Sequence, residues 1–233
     1  MPRKVVDSQD TQPRALADEL ASQISLLSVP STSAVRAIRR EFSGRIVAKS
    51  AGFVHRFVSC LFSKQSDLFR FVAYELLSHH RRTSDELCAD DLQRLGEGIN
   101  SWASVDCFSM YLSGPTWAQG RVPDRTIIAW ARSEDRWWRR AALVSTVALS
   151  RRGRAEDIGK VTRVCRLLVA DRDDMVVKAV SWALRELAKK QPQAARNFLA
   201  EHREALAARV VRELENKLTT GLKTPRRAKN QNP

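Results

Sequence analysis

Two indoles, a carboxylate and a guanidinium stand in places that packing alone does not explain. Trp102 and Asp106 are spaced i, i+4, so on a helix an indole and a carboxylate share one face about one turn apart. An aromatic face beside an anion suits a cationic ligand, because ring quadrupole and carboxylate both attract positive charge. A surface tryptophan next to a solvated or capping aspartate fits the same spacing equally well. Trp182 belongs to a second pattern, in which Val176, Val180, Ala183 and Leu187 make an apolar stripe. About 200° round that helix lie Lys178, Trp182, Arg185 and Lys189, a basic row with an indole in its middle, which suits contact with a sugar-phosphate chain or a base. Packing of Trp182 against a neighbouring repeat is the alternative. Arg140 projects beside Val144 and Val147, and Arg139 beside Thr146 and Ser150. A guanidinium partly sheltered from water usually has an anionic partner, either a carboxylate of an adjacent repeat or a phosphate from outside. Trp137 and Trp138 read as packing residues.

The elements that must position these groups are helices. Apolar residues recur at helical spacing over 12–28, 32–49, 52–63, 66–80, 84–99, 100–113, 123–132, 135–151, 155–170, 172–190, 193–201 and 203–218, and no stretch sustains the alternation of a strand. On the helix expected over 100–113, Ala103, Val105, Cys107, Phe108, Met110, Tyr111 and Leu112 gather on one broad arc, with Trp102, Asp106, Ser109 and Ser113 opposite. A weak echo links Phe69-Arg70-Phe71-Val72-Ala73, Arg139-Arg140-Ala141-Ala142-Leu143 and Val177-Lys178-Ala179-Val180, compatible with helical-hairpin repeats. The expected fold is therefore all-α, a HEAT-like solenoid with a concave basic face, since such hairpins bury their apolar sides only by stacking. Residues 1–31 read as an N-terminal arm and first helix, 32–218 as the repeat domain, and 219–233 as a basic disordered tail contacting phosphate nonspecifically.

Composition narrows the partners. Lys and Arg number 40 against 26 Asp and Glu, a formal charge of +14, which favours a polyanion and first of all nucleic acid. No apolar run approaches the roughly 20 residues of a bilayer span, and the start lacks the apolar core of a secretory signal, so a cytoplasmic protein is expected. Cys60, Cys88, Cys107 and Cys165 are widely spaced in apolar stretches, without a C-x-x-C pair or a histidine at zinc-finger distance, and read as reduced core residues. His79 and His80 adjoin Arg81 and Arg82 at a helix end, where they suit capping or a phosphate; His55 and His202 show no partner. Neither a phosphate-binding glycine motif nor H-E-x-x-H is present, so nucleotide and zinc chemistry lose support and no cofactor or metal is expected.

Three segments together, W-A-S-V-D at Trp102 to Asp106, S-E-D-R-W-W-R-R-A-A at Ser133 to Ala142 and V-K-A-V-S-W-A-L-R-E at Val177 to Glu186, resemble the AlkD-like DNA alkylation repair family of HEAT-repeat glycosylases. The likeness spans roughly 32–215 and also touches Val35-Arg36-Ala37-Ile38-Arg39-Arg40, a pattern common in HEAT helices. It implies excision of positively charged N3- and N7-alkylpurines from duplex DNA by a monomer. By matched position it implies Asp106 as the catalytic carboxylate, Trp102 and Trp182 as aromatics at the lesion, and Arg140 as the basic residue of the cleft. Arg139, Lys178, Arg185 and Lys189 are expected on phosphates. Some members of this broad family bind unusual DNA structures without excision, so a nonenzymatic binder of branched or damaged DNA is the competing reading. A HEAT scaffold for an acidic protein is the third.

Overall fold

A computed structural model describes residues 8–224; the end of the expected basic tail and the first seven residues lie outside them. Every regular element among the described residues is helical, as the periodicity requires. The chain divides into two compact units, residues 1–112 and 113–233.

The first unit holds α1 (Ser8–Ser25), α2 (Thr32–Ile46), α3 (Ala51–Phe62), α4 (Asp67–His79), α5 (Arg81–Glu86), α6 (Ala89–Gly96) and α7 (Trp102–Phe108). Serines open four of them: Ser31, Ser50, Ser66 and Ser101 accept the amides of Ala34, Phe53, Leu68 and Ser104, each cap worth about 1 kcal/mol. The centre is α4, which packs on α2, α3, α5 and α7, while α1 covers α2 and α3. With neighbours on so many sides, its run Val72 to Leu77 is buried throughout, against Val35 and Phe42 of α2, Phe57 of α3 and Val105 and Phe108 of α7 within one apolar core. A charged residue inside that run, Glu75, must therefore bring its own partners.

The second unit holds α8 (Gly114–Ala118), α9 (Asp124–Ala131), α10 (Arg136–Arg152), α11 (Ala155–Leu167), α12 (Asp174–Lys190), α13 (Pro192–His202) and α14 (Ala208–Thr220). Here α8, α10, α12 and α14 pack in succession as one layer, and α9, α11 and α13 lie against them as a second. Such stacked pairs are what the hairpin periodicity predicts for this half of the chain. Asp135 and Asp173 cap α10 and α12 through the amides of Trp137 and Met175. The long α10 stops at Gly153, whose φ of 70° is the left-handed conformation that a side chain would strain. Burial of Val176, Val180, Ala183 and Leu187 matches the apolar stripe assigned to α12.

Three local expectations are corrected. A single helix over 84–99 is replaced by α5 and α6, because Leu87 turns extended and Cys88 starts a new helix, its amide and thiol both donating to Asp91 Oδ2 at 3.0 Å. Cys88 is thus an exposed capping residue and not part of the core, unlike the buried Cys165. The helix over 100–113 ends at Phe108 and continues as a π turn, Ser109–Ser113. A π turn takes more residues per revolution, so the 100° projection fails from Ser109 onward. Ser109 and Ser113, placed outside by that projection, are fully buried, with Ser113 Oγ 2.6 Å from Ser145 Oγ.

Candidate active-site groove

The Ser101 cap fixes where α7 begins, so Trp102 occupies its first position and Asp106 the position one turn later. Both line an open groove of about 330 Å³ in the first unit. Its other walls come from Pro30 and the start of α2 (Thr32, Val35), the start of α4 (Asp67, Leu68, Phe71) and Ala103 and Cys107 of α7. Trp102 is 59% exposed, far more than any other tryptophan needs to be in a packed helix array, and its ring is available to a ligand. Asp106 is half-buried. The groove is thus lined mostly by apolar side chains and carries two carboxylates, Asp67 and Asp106, in a chain whose overall charge is strongly positive.

Beneath it runs a polar network. Glu75, 2% exposed, accepts from Arg36 Nε at 2.7 Å and from Arg39 Nε at 3.2 Å, tying α4 to α2 through both carboxylate oxygens. Arg36 also donates to Tyr111 Oη at 2.9 Å and lies 5.4 Å from the ring centre of Phe71, a groove wall. Donation of its hydrogen bond to Glu75 raises the Arg36 pKa, which holds this guanidinium charged, and burial raises that of Tyr111. Burial also pushes the Cys107 thiol up to about 12, with the anions Asp106 and Glu75 acting in the same direction. Cys107 is therefore a neutral wall residue and no nucleophile at physiological pH. Tyr74 is likewise raised to about 12 by burial, its hydroxyl donating to the Leu95 carbonyl at 2.8 Å.

The remaining sequence-predicted residues lie in the second unit. Arg140 is 6% exposed, and its Nη1 donates to the Met175 carbonyl at 2.6 Å, so the sheltered guanidinium anticipated from Val144 and Val147 serves to join α10 to α12. Arg139 is bonded to Asp171 Oδ2 at 2.8 Å and to the carbonyls of Ser133 and Glu134. Lys178 pairs with Asp174, Lys189 with Glu186, and Arg185 with Glu213. Burial lowers the Arg185 pKa. Each of these four cations carries an intramolecular carboxylate, so a phosphate would have to share or displace it. Trp182 is half-buried in the basic row. Trp138 packs on Trp130 with ring centres 4.8 Å apart, as its packing role required. His80 closes α4 and opens α5, accepting from the Thr83 amide through Nδ1, which is the capping alternative for that pair. His202 packs against Phe198 with ring centres 4.5 Å apart and planes inclined by 60°.

Asp67, Phe71 and the Arg36–Glu75–Arg39 triad were not singled out as site residues by sequence. Glu75 carried a signal, an acid within the apolar run Phe71 to Leu77; Asp67 carried none, because it follows a serine cap and looks like any first-turn acid. Among the described residues no group of three or more His, Cys, Asp or Glu is arranged to hold a metal ion, and no helix is long and apolar enough to cross a membrane.

Over residues 20–216 the chain matches the family described as DNA alkylation repair enzyme, and it belongs to that family. Curated proteins give no match. The substrate class is accordingly alkylated DNA, the polyanion that the charge of +14 anticipated.

Proposed function

We propose that this chain is a DNA glycosylase that releases N3- and N7-alkylated purines from duplex DNA. The observation that carries the reading is the pairing of an exposed indole, Trp102, with a half-buried carboxylate, Asp106, in one groove of the first unit. Alkylation at a purine ring nitrogen makes the base a cation. The C1′–N9 or corresponding glycosidic bond then breaks with its electron pair going to the base, which leaves neutral without needing an enzymic proton. Positive charge passes to the deoxyribose, where the Asp106 carboxylate stabilises it and orients a water; the water oxygen bonds to C1′ and its proton is lost to the carboxylate or solvent. Trp102 holds the charged nucleotide through cation–π attraction, worth ~0.5–2 kcal/mol. A neutral lesion forfeits both the leaving-group advantage and that attraction, so cationic adducts are preferred.

In the second unit Trp182 is assigned to contact with the damaged nucleotide and Arg140 to the basic lining of the DNA surface. Arg139, Lys178, Arg185 and Lys189 would take phosphates, exchanging their present carboxylates for them, a contact that weakens as salt rises. The reading needs no cofactor and a single copy of the chain. Incubating a duplex that carries one 7-methylguanine with the protein tests it: free base should accumulate above the spontaneous rate, and Asp106→Asn should abolish the excess. Binding without release by the unsubstituted protein would favour a nonenzymatic binder of damaged DNA.

A further inference from the structure

Asp67 is the second carboxylate of the groove, and its surroundings set it apart from an ordinary helix-start acid. The helix cap of α4 is already supplied by Ser66, whose Oγ accepts from the Leu68 amide at 3.3 Å. Asp67 instead reaches across to α7, where its Oδ1 accepts from Ser104 Oγ at 2.6 Å. Ser104 is buried and lies on the same short helix as Trp102 and Asp106, so one hydrogen bond fixes the start of α4 against the helix that carries the proposed catalytic pair. Among the described residues no lysine or arginine is ion-paired with Asp67. Arg36, which lies over the groove wall residue Phe71, is committed to Glu75. An aspartate that is not needed as a cap, is oriented by a buried hydroxyl and lines a groove with aromatic and apolar walls leaves its second oxygen for whatever enters.

We infer that Asp67 is a specificity-determining residue of the groove: a second anion, held by Ser104, that selects a positively charged base over a neutral one. This rests on the glycosylase reading and deepens it, since it assigns the discrimination against undamaged DNA to two carboxylates instead of one. The sign of its effect is opposite for the two kinds of DNA. A carboxylate facing DNA repels the phosphates of any duplex and attracts only a duplex that presents a cation to it. At about 6 Å in a largely solvated groove the attraction corresponds to roughly a 3- to 10-fold preference.

The test is Asp67→Asn, which keeps the shape and an acceptor for Ser104 while deleting the charge. Binding is measured by fluorescence anisotropy in the cold on two duplexes that differ only in 7-methylguanine against guanine, with base release followed separately at working temperature. The ratio of the two dissociation constants should fall about 3- to 10-fold in Asp67→Asn, with affinity for the unmodified duplex unchanged or slightly higher. Ser104→Ala, which keeps the charge and loosens its position, should lower the ratio less. A merely structural role would instead weaken both duplexes together. Release by the unsubstituted protein with an undiminished ratio in Asp67→Asn overturns the assignment of Asp67 and leaves the glycosylase reading standing. No release and no preference in the unsubstituted protein overturns both.

Discussion

Replacing Glu75 by Gln should destabilise the protein more than any substitution at the groove surface. The carboxylate is 2% exposed and satisfies two guanidinium groups, of which Arg39 is 7% and Arg36 37% exposed at the side chain. The amide keeps one acceptor but no charge, so the Arg39 guanidinium is left buried without an anion. Breaking a buried pair from one side costs about 3–5 kcal/mol. The Arg36 half is partly solvated and adds no more than about 1 kcal/mol. For a chain of this size each kcal/mol moves the melting temperature by roughly 2–4 °C, so a loss of about 3–6 kcal/mol gives a fall of roughly 6–24 °C in thermal unfolding followed by circular dichroism. Glu75→Leu combined with Arg39→Met should recover much of that loss, because an apolar replacement removes the stranded charge along with its partner. A loss below about 1 kcal/mol in Glu75→Gln would refute the argument that this triad is what lets α4 run buried between α2 and α7.

Arg140→Ala should cost about 1.5–3 kcal/mol in urea unfolding, the worth of a charged donor to the Met175 carbonyl. If the same guanidinium reaches a phosphate, the slope of log affinity against log salt falls by about one as well; an unchanged slope confines Arg140 to structure. Alkylation by iodoacetamide at pH 8, read by peptide mass spectrometry, should spare Cys107 and Cys165, whose thiols burial pushes up to about 12, and should label the exposed Cys88 in the native state. Asp124 is desolvated, which works against its charge, yet hydrogen bonds from Trp117 Nε1 at 2.8 Å and from Lys160 outweigh that and hold its pKa below the ordinary 3.8. A depressed carboxylate stabilises the fold fully above its unfolded pKa and loses that contribution as pH falls from 3.8 through the folded value. Asp124→Asn should therefore flatten the acid limb of the melting-temperature curve below about pH 4, and an unchanged limb would remove Asp124 from the account.

Helical spacing alone located most elements, because most helices bury an apolar stripe, and six of them open on a serine or aspartate that accepts a first-turn amide: Ser31, Ser50, Ser66, Ser101, Asp135 and Asp173. It failed where backbone geometry departs from a uniform 100° per residue. The π turn at Ser109–Ser113 is invisible to a fixed period, so two buried serines were placed outside. Leu87 belongs to the apolar pattern on either side of it, and only the turn at Cys88 reveals that the helix is broken. Within the site, Trp102 and Asp106 were legible because their relation is local, one turn of one helix. Asp67, Phe71 and Glu75 depend on how α4 packs between α2 and α7, and residues 37 or 39 apart in sequence carry no mark of that packing. The intramolecular pairing of Lys178, Arg185 and Lys189 was hidden for another reason: a basic row looks the same whether its counter-ions are carboxylates of the protein or phosphates of DNA.

In the proposed reaction Asp106 acts on the sugar cation and does not merely shape the groove. Single-turnover release of free 7-methylguanine from a duplex, with enzyme in excess and the base detected by mass spectrometry, isolates that step. Rapid release by the unsubstituted protein and release near the spontaneous rate by Asp106→Asn are expected, with the two proteins binding the damaged duplex within a few-fold of each other. Release by Asp106→Asn at an undiminished rate, or a loss of release that follows lost binding alone, would contradict that role for Asp106.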